Sequence, residues 1–180
     1  MATEKQITTH MKYLLLLGFV AFISCKKDFY QDEFAKSRRA FNEFKLQHHN
    51  SYTFEMKTYS WTNFSTSTTI TVKAGKIIAR DYIAMDAKHI NGAWQYDTVM
   101  QYSETAASIN SNLEGLRAVT LEEVYNKAEN QLLKIDKKTH TIQFETKNNG
   151  LISTVGYTPK ECVDDCFRGY IISRIEALSE

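Results

Sequence analysis

The sequence is poor in the residues that mark extended or low-complexity proteins, with one proline and seven glycines among 180 residues. That scarcity excludes a collagen-like or proline-rich chain. Basic and acidic residues nearly cancel, 22 against 21, so the chain lacks the electrostatic footprint of a nucleic-acid-binding protein. Because 43% of the residues are hydrophobic and the net charge is small, the composition also argues against disorder. The length suits one globular domain.

Motifs of common enzymes are missing as well. The chain has neither a Gly-x-Ser-x-Gly segment nor a glycine-rich phosphate loop. His48 and His49 are neighbours, and neighbours on a helix point about 100° apart, so we interpret them as an exposed helix end rather than as metal ligands. Asp164 and Asp165 are interpreted as solvated turn residues, with a Ca²⁺ site as the alternative. The sequence therefore predicts no catalytic residue, no metal and no cofactor.

One apolar run stands near the N-terminus, over residues 13–23, directly after Lys12. It is too short to span a bilayer, which takes about 20 apolar residues, but it has the length of the apolar region of a signal peptide. The run ends at Ser24-Cys25 and is followed by two lysines and an aspartate. The alternative, a short buried helix or strand, is disfavoured because the run shows no amphipathic period.

This pattern resembles a bacterial lipoprotein signal with Cys25 as the lipidated residue, and the string 24–28 is similar to that of lipoproteins of the Bacteroidota. The resemblance implies a domain held to the cell envelope by lipid on Cys25. Lys26, rather than aspartate, follows the cysteine, and in enteric-type sorting this resembles export to the outer membrane. We expect Met11 to be the natural start. We divide the chain into an N-terminal extension and signal (1–24), a lipidated tether (25–31) and one domain (32–180).

The remaining cysteines, Cys162 and Cys166, suit an oxidising compartment outside the inner membrane. Three residues separate them, as in a short turn between two strands. We predict a structural disulfide that fixes the register of that hairpin. A zinc site would need four ligands, and no second cysteine pair exists. A redox-active pair is the other alternative, although the thioredoxin-type motif has two intervening residues rather than three.

Hydrophobic periodicity predicts an α+β fold in which two helices pack on a mostly antiparallel sheet, in the order α-β-β-β(-β)-α-β-β-β. The first helix is predicted over 32–48 and the second from the capping box Thr120–Glu123 to about Lys134. Ala74-Gly75 and Asn91-Gly92 predict hairpin turns, and Asn148-Asn149-Gly150 predicts a third turn. Strands are predicted over 51–59, 68–73, 76–82, 83–89, 94–100, 139–146, 151–157 and 167–175. Residues 61–66 and 106–115 are predicted to be loops.

Aromatic residues are plentiful, with ten tyrosines, ten phenylalanines and two tryptophans. Five of them lie in or near predicted loops and hairpins, namely Trp61, Phe64, Trp94, Tyr96 and Tyr102, and the first four are the candidate site residues. They form a candidate patch for a protein or glycan partner, since aromatic side chains anchor interfaces. The alternative is that they fill a small core. Asp97-Thr98-Val99 also resembles the three-residue O-glycosylation signal of the Bacteroidota.

Several segments resemble the domain-of-unknown-function 6174 family of bacterial lipoproteins. They are residues 50–54 after the first helix, the strand–turn–strand 72–78, the opening of the second helix at 120–125, and 150–155. The similarity covers most of 34–175, with an expanded middle over about 85–118. It implies the same fold class and compartment but no activity. Taken together, the sequence predicts a non-enzymatic envelope lipoprotein. The alternatives are an inhibitor-like module that docks an envelope enzyme, or a hydrolase with a dispersed active site.

Overall fold

The computed structural model describes residues 29–178, which contain two α-helices, a short 3-10 helix and seven β-strands. Of the two compact units into which the chain divides, residues 1–32 and 33–180, the second holds the whole sheet. In chain order the elements are α1 (Phe29–Gln47), β1 (Tyr52–Tyr59), β2 (Phe64–Lys73), β3 (Lys76–Ile90), β4 (Ala93–Thr105), α2 (Leu121–Asn130), the 3-10 helix (Leu132–Lys134), β5 (His140–Glu145), β6 (Thr154–Pro159) and β7 (Arg168–Ala177).

All seven strands belong to one sheet, in the order β4-β3-β2-β1-β7-β6-β5, and every neighbouring pair is antiparallel. The α+β class is therefore confirmed, and the strand that the sequence left optional is present. Two meanders, β1–β4 and β5–β7, meet at a single junction between β1 and β7. That junction pairs Phe54 with Ile175 and Met56 with Ile172.

The helices cover one face of the sheet. On β1 the side chains alternate, so Tyr52, Phe54 and Met56 are buried on the helix side while the residues between them face the other side. Phe41 of α1 stacks on Tyr125 of α2, with ring centroids 4.6 Å apart and planes 4° apart. This aromatic layer is the centre of the core, as the periodicity of both helices predicts.

Tyrosine hydroxyls in this core hydrogen-bond to backbone groups that would otherwise be unsatisfied. Leu121, the first residue of α2, donates its N–H to the Tyr52 hydroxyl at 3.1 Å. The Tyr125 hydroxyl accepts the Ile152 N–H at 3.2 Å and shares a hydrogen bond with the Ser37 hydroxyl at 2.7 Å. Burial raises the pKa of Tyr52 to about 12, so this hydroxyl stays protonated. The hydrogen bonds fix α1, α2 and the β5–β6 loop against one another.

The predicted turns and helix cap are confirmed. Ala74 and Gly75 turn between β2 and β3 with φ of 47° and 77°, and Asn91 and Gly92 turn between β3 and β4 with φ of 52° and 84°. Asn-Gly suits such a two-residue hairpin because both central residues take a positive φ, and Ala74 adopts the same region although alanine does not favour it. Thr120 caps α2 and forms the expected capping box with Glu123.

Element boundaries differ from prediction where tertiary pairing extends an element or ends it early. Helix α1 begins at Phe29 rather than 32, and α2 ends at Asn130 before the 3-10 turn. Strand β2 begins at Phe64, inside a predicted loop, because Phe64 pairs with Asp86. The two predicted strands 76–82 and 83–89 are one continuous β3, and β4 continues to Thr105. Strand β6 begins three residues later than predicted, at Thr154.

Candidate functional site

One end of the sheet, which we call the turn end, gathers three connections: the β1–β2 turn (60–63), the β3–β4 turn (91–92) and the β6–β7 loop (160–167). All four aromatic residues of the predicted patch lie in or next to these connections. Their side chains are exposed, with relative accessibilities of 75% for Trp61, 37% for Phe64, 52% for Trp94 and 63% for Tyr96. The alternative that they fill the core is therefore wrong for these four residues.

The β1–β2 turn, which carries Trp61, is held from outside by the β6–β7 loop. Asp165 accepts a hydrogen bond from the Ser60 hydroxyl at 2.7 Å and another from the Trp61 backbone N–H at 3.3 Å. Asn63 adopts a positive φ of 66° and its carbonyl accepts the Ala87 N–H at 3.2 Å. The β1–β2 turn is thus hydrogen-bonded on one side to the β6–β7 loop and on the other side to β3.

Cys162 and Cys166 form the predicted disulfide, with Cα atoms 6.2 Å apart. The bridge closes the loop that follows Pro159 and precedes Arg168, so it lies between β6 and β7 as the sequence indicates. The contact from Asp165 to the Trp61 turn adds a role that spacing alone did not reveal. The disulfide limits the conformations of the residue that orients the aromatic turn.

Trp94 and Tyr96 project on a hairpin that extends beyond the rest of the sheet. Pairing of β2 with β3 stops at Asp86, whereas β3 continues to pair with β4 as far as Ile90. Trp94 and Tyr96 are two residues apart on β4 and share a face. The His89 ring lies edge-on to Trp94, with centroids 5.2 Å apart.

The four aromatic residues share an end of the sheet but not one face. Phe64 precedes the buried Thr66 by two residues and therefore points to the helix side of the sheet. Tyr96 pairs with Ala87, one residue beyond Asp86, and so points to the opposite side. The structure therefore corrects the picture of a single flat patch: the exposed rings surround the turn end from two sides.

Sequence reasoning missed a buried ion pair at the opposite end of the β3–β4 hairpin. Arg80 and Glu104 are cross-strand partners on the helix side, and each side chain is 1% exposed. Arg80 Nη1 lies 3.1 Å from Glu104 Oε2, and its Nε donates to the Leu116 carbonyl at 3.0 Å. Glu104 accepts the backbone N–H groups of Asn110 and Asn112, each at 2.7 Å. The pair thereby fastens the β4–α2 loop, predicted only as a polar loop, to the sheet.

The ionised state of Glu104 is strongly favoured. Burial opposes ionisation, but the hydrogen bonds from Asn112 and Asn110 and the Arg80 guanidinium outweigh it and lower the pKa to about 2. A sequence signal for this pair does exist. Arg80 lies two residues from Tyr82 in an otherwise apolar alternation, which is where a strand places a core residue.

The face of the sheet away from the helices carries a groove of about 400 Å³ rich in hydroxyl groups. Ser67 and Ser173 donate hydrogen bonds to Glu55. Burial opposes ionisation of Glu55, yet these hydrogen bonds and nearby Lys57 hold its pKa below the ordinary value. Asp81 accepts from Ser103 at 2.5 Å. The groove is lined by Ser67, Thr69, Asp81, Ile83, Gln101 and Ser103, among others.

The two carboxylates of this face, Glu55 and Asp81, lie on strands separated by β2. Glu55 and Asp81 both face Thr69 across neighbouring strands, which puts their backbones roughly 10 Å apart. Glu55 accepts hydrogen bonds from the hydroxyls of Ser67 and Ser173, and Asp81 accepts one from the hydroxyl of Ser103. Over residues 29–178, no group of three or more histidine, cysteine or acidic side chains is placed to hold a metal ion.

The lipidation site predicted at Cys25 lies outside the described residues. Within 29–178, none of the helices has the length and apolar character needed to cross a membrane. Thr98, in the glycosylation-like triplet, is exposed on β4, an edge strand.

Comparison with known proteins gives no match to a protein-family model, to a curated protein or to a solved structure.

Proposed function

We propose that this chain is a lipid-anchored protein of the bacterial cell envelope that acts by binding rather than by catalysis. The observation that carries the proposal is the apolar run 13–23 followed by Ser24-Cys25-Lys26-Lys27-Asp28. Such a run with a small residue before cysteine is typical of an exported and lipidated N-terminus, and several acyl chains anchor firmly at about 0.8 kcal/mol per buried CH₂.

A binding role is supported by what the domain exposes. The turn end presents Trp61, Trp94 and Tyr96 to solvent, and exposed aromatic groups of this kind anchor interfaces. The face of the sheet away from the helices carries Glu55 and Asp81, which are already engaged by serine hydroxyls. The turn end is therefore our candidate binding surface, and catalysis is the less favoured role.

The anchor is tested by expressing the full chain in a bacterium that processes lipoproteins and measuring the mass of its N-terminal peptide. We expect an acylated Cys25 and recovery in the membrane fraction, with Cys25→Ala leaving the chain unacylated. The matched control is the Cys162→Ala/Cys166→Ala variant, which should remain acylated. An unmodified Cys25 in the wild-type chain would contradict the proposal.

The side of the outer membrane follows from protease shaving of intact and lysed cells. Loss of the domain from intact cells would place it on the cell surface, and protection until lysis would place it in the periplasm. Absence from the outer-membrane fraction in both cases would contradict the localisation.

A second candidate is an inhibitor-like or accessory module that docks an envelope enzyme. The projecting β3–β4 hairpin with Trp94 favours it, because such a hairpin can reach into a cleft. Trp61→Ala/Trp94→Ala should then abolish capture of the enzyme without unfolding the domain. A hydrolase ranks lowest: it would require turnover of an envelope glycan that Glu55→Gln abolishes.

A further inference from the structure

The chain enters the folded domain at the turn end. Phe44, in the second half of α1, lies 6.0 Å from Tyr52, where β1 begins, measured between ring centroids. Phe34, near the start of the domain, lies 6.1 Å from Phe144 between ring centroids. Phe144 pairs with Val155, which pairs with Tyr170, the neighbour of the residue that pairs with Lys57 near the turn end of β1. Helix α1 therefore runs from the turn end toward the opposite end of the sheet.

The proposed anchor is close to this entry point along the chain. Cys25 precedes Glu33 by only eight residues, which span at most roughly 29 Å when fully extended. From Glu33 to the end of α1 the helix rises about 21 Å away from the turn end. A lipid on Cys25 would therefore hold the start of the domain, at the turn end, within at most roughly 29 Å of the bilayer.

The side chains exposed at the turn end are those that favour a membrane–water interface. Of the twelve large hydrophobic residues that are exposed within 30–178, nine lie in the turn-end half of the sheet or its connections. Trp61 and Trp94 are the only tryptophans of the whole chain. Tryptophan and tyrosine are enriched at the headgroup level of membranes because their rings are apolar and their N–H or O–H groups are polar.

The turn end has no excess of positive charge, because Lys160 in the β6–β7 loop is outweighed by Glu161, Asp164 and Asp165. Lys88 lies 3.1 Å from Asp97 and 3.8 Å from Asp86, so its charge is compensated by two carboxylates. Asp165 is engaged by the Trp61 turn, and Asp164 adds a further negative charge. Contact with lipid would therefore depend on aromatic insertion and not on ionic strength.

From these observations we infer that the turn end is a membrane-contact surface: Trp61, Trp94 and Tyr96 insert at the headgroup level of the bilayer that holds the lipid on Cys25. The inference rests on the anchor proposed above and names the bilayer itself as the occupant of the candidate binding surface. The opposite end of the sheet then faces away from the membrane.

The experiment uses the full acylated chain in phosphatidylcholine vesicles whose acyl chains carry bromine, which quenches nearby tryptophan. Trp61→Phe and Trp94→Phe each leave one reporter. A matched control carries both substitutions and Leu46→Trp, which places the reporter at an exposed position near the end of α1, away from the turn end. We expect at least about twofold greater loss of emission from Trp61 and from Trp94 than from the reporter at 46, as interfacial placement requires.

The same quenching should persist in high salt and should not increase in vesicles rich in phosphatidylglycerol. An acylated chain that floats with the vesicles while either native tryptophan is quenched no more than the reporter at 46 would overturn the inference. The anchor would stand in that case, and a protein partner would become the better occupant. A chain that is not acylated and does not float would instead overturn the anchor, so the two failures are distinguishable.

Discussion

Phe41 and Trp61 are both large aromatic residues, but the fold treats them in opposite ways. Phe41 is completely buried and stacks on Tyr125 between the helices and the sheet. Trp61 is 75% exposed in a turn that Asp165 holds open to solvent. The chain therefore places some of its aromatic side chains in the buried layer under the helices and others in an exposed rim at the turn end, formed by Trp61, Trp94 and Tyr96.

Alanine substitution should give the largest difference between Phe41 and Trp61 in the free energy of unfolding. Phe41→Ala should lower the free energy of unfolding by about 3–5 kcal/mol, because it opens a cavity beside Tyr125. Trp61→Ala should change it by no more than about 0.5 kcal/mol, as for other exposed side chains. Denaturant midpoints measure both. A loss for Trp61→Ala similar to that for Phe41→Ala would mean that the rim belongs to the core after all.

The buried ion pair offers the next largest effect. Glu104→Gln leaves the Arg80 guanidinium buried without its charge partner, and we expect a loss of about 3 kcal/mol in urea unfolding. Asp81→Asn is the control, because Asp81 neighbours Arg80 on β3 but faces solvent and bonds only to Ser103. Equal losses for the two variants would contradict the special role of the ion pair.

Acid should reproduce the effect of Glu104→Gln. The pKa of Glu104 is about 2 in the folded chain against an ordinary 4.5, so its charged form is favoured by folding. Its contribution to stability is complete above pH 4.5 and is lost as the pH falls toward 2. Glu55 and Glu122 also have lowered pKa values, so the difference between wild type and Glu104→Gln isolates Glu104. A constant difference across this range would contradict the assignment.

Removal of the disulfide should affect the Trp61 turn more than the aromatic core. Cys162→Ala/Cys166→Ala should cost less than about 3 kcal/mol, because the closed loop is very short. Its local effect should be larger: hydrogen exchange at the Trp61 N–H should accelerate once Asp165 is less constrained. Exchange at the Leu121 N–H, which the core Tyr52 hydroxyl accepts, should change only with global stability. An unchanged rate at Trp61 would separate the disulfide from the rim.

The smallest effect concerns a local signal. Thr120→Ala removes the side-chain cap of α2 and should lower the free energy of unfolding by about 1 kcal/mol. Thr120→Ser keeps the hydroxyl and should restore most of it. A loss near that of Phe41→Ala would show that the cap positions the aromatic layer rather than only the helix end.

The features that the sequence predicted are those decided by neighbouring residues. Asn91-Gly92 and Thr120–Glu123 contain the whole reason for their conformation within a few residues, and both are confirmed. The exposure of the aromatic residues could be suspected, but the separation of Phe64 and Tyr96 onto two sides depends on strand register, which no short segment contains. The burial of the Arg80–Glu104 pair depends on the β4–α2 loop, whose backbone groups hydrogen-bond to both side chains. The start of β2 at Phe64 likewise depends on a partner in β3.

The single junction between β1 and β7 has a consequence for how fast the molecule assembles. Within each meander, consecutive strands meet after short turns, so their pairing needs little loop closure. Joining Tyr52 to Ala177 instead closes a loop of more than a hundred residues, and the entropy of closing long loops slows contacts of high sequence separation. We expect the two meanders to form early and their seam last. During synthesis, the edge of β1 that pairs with β7 therefore stays unpaired until β7 has been synthesised.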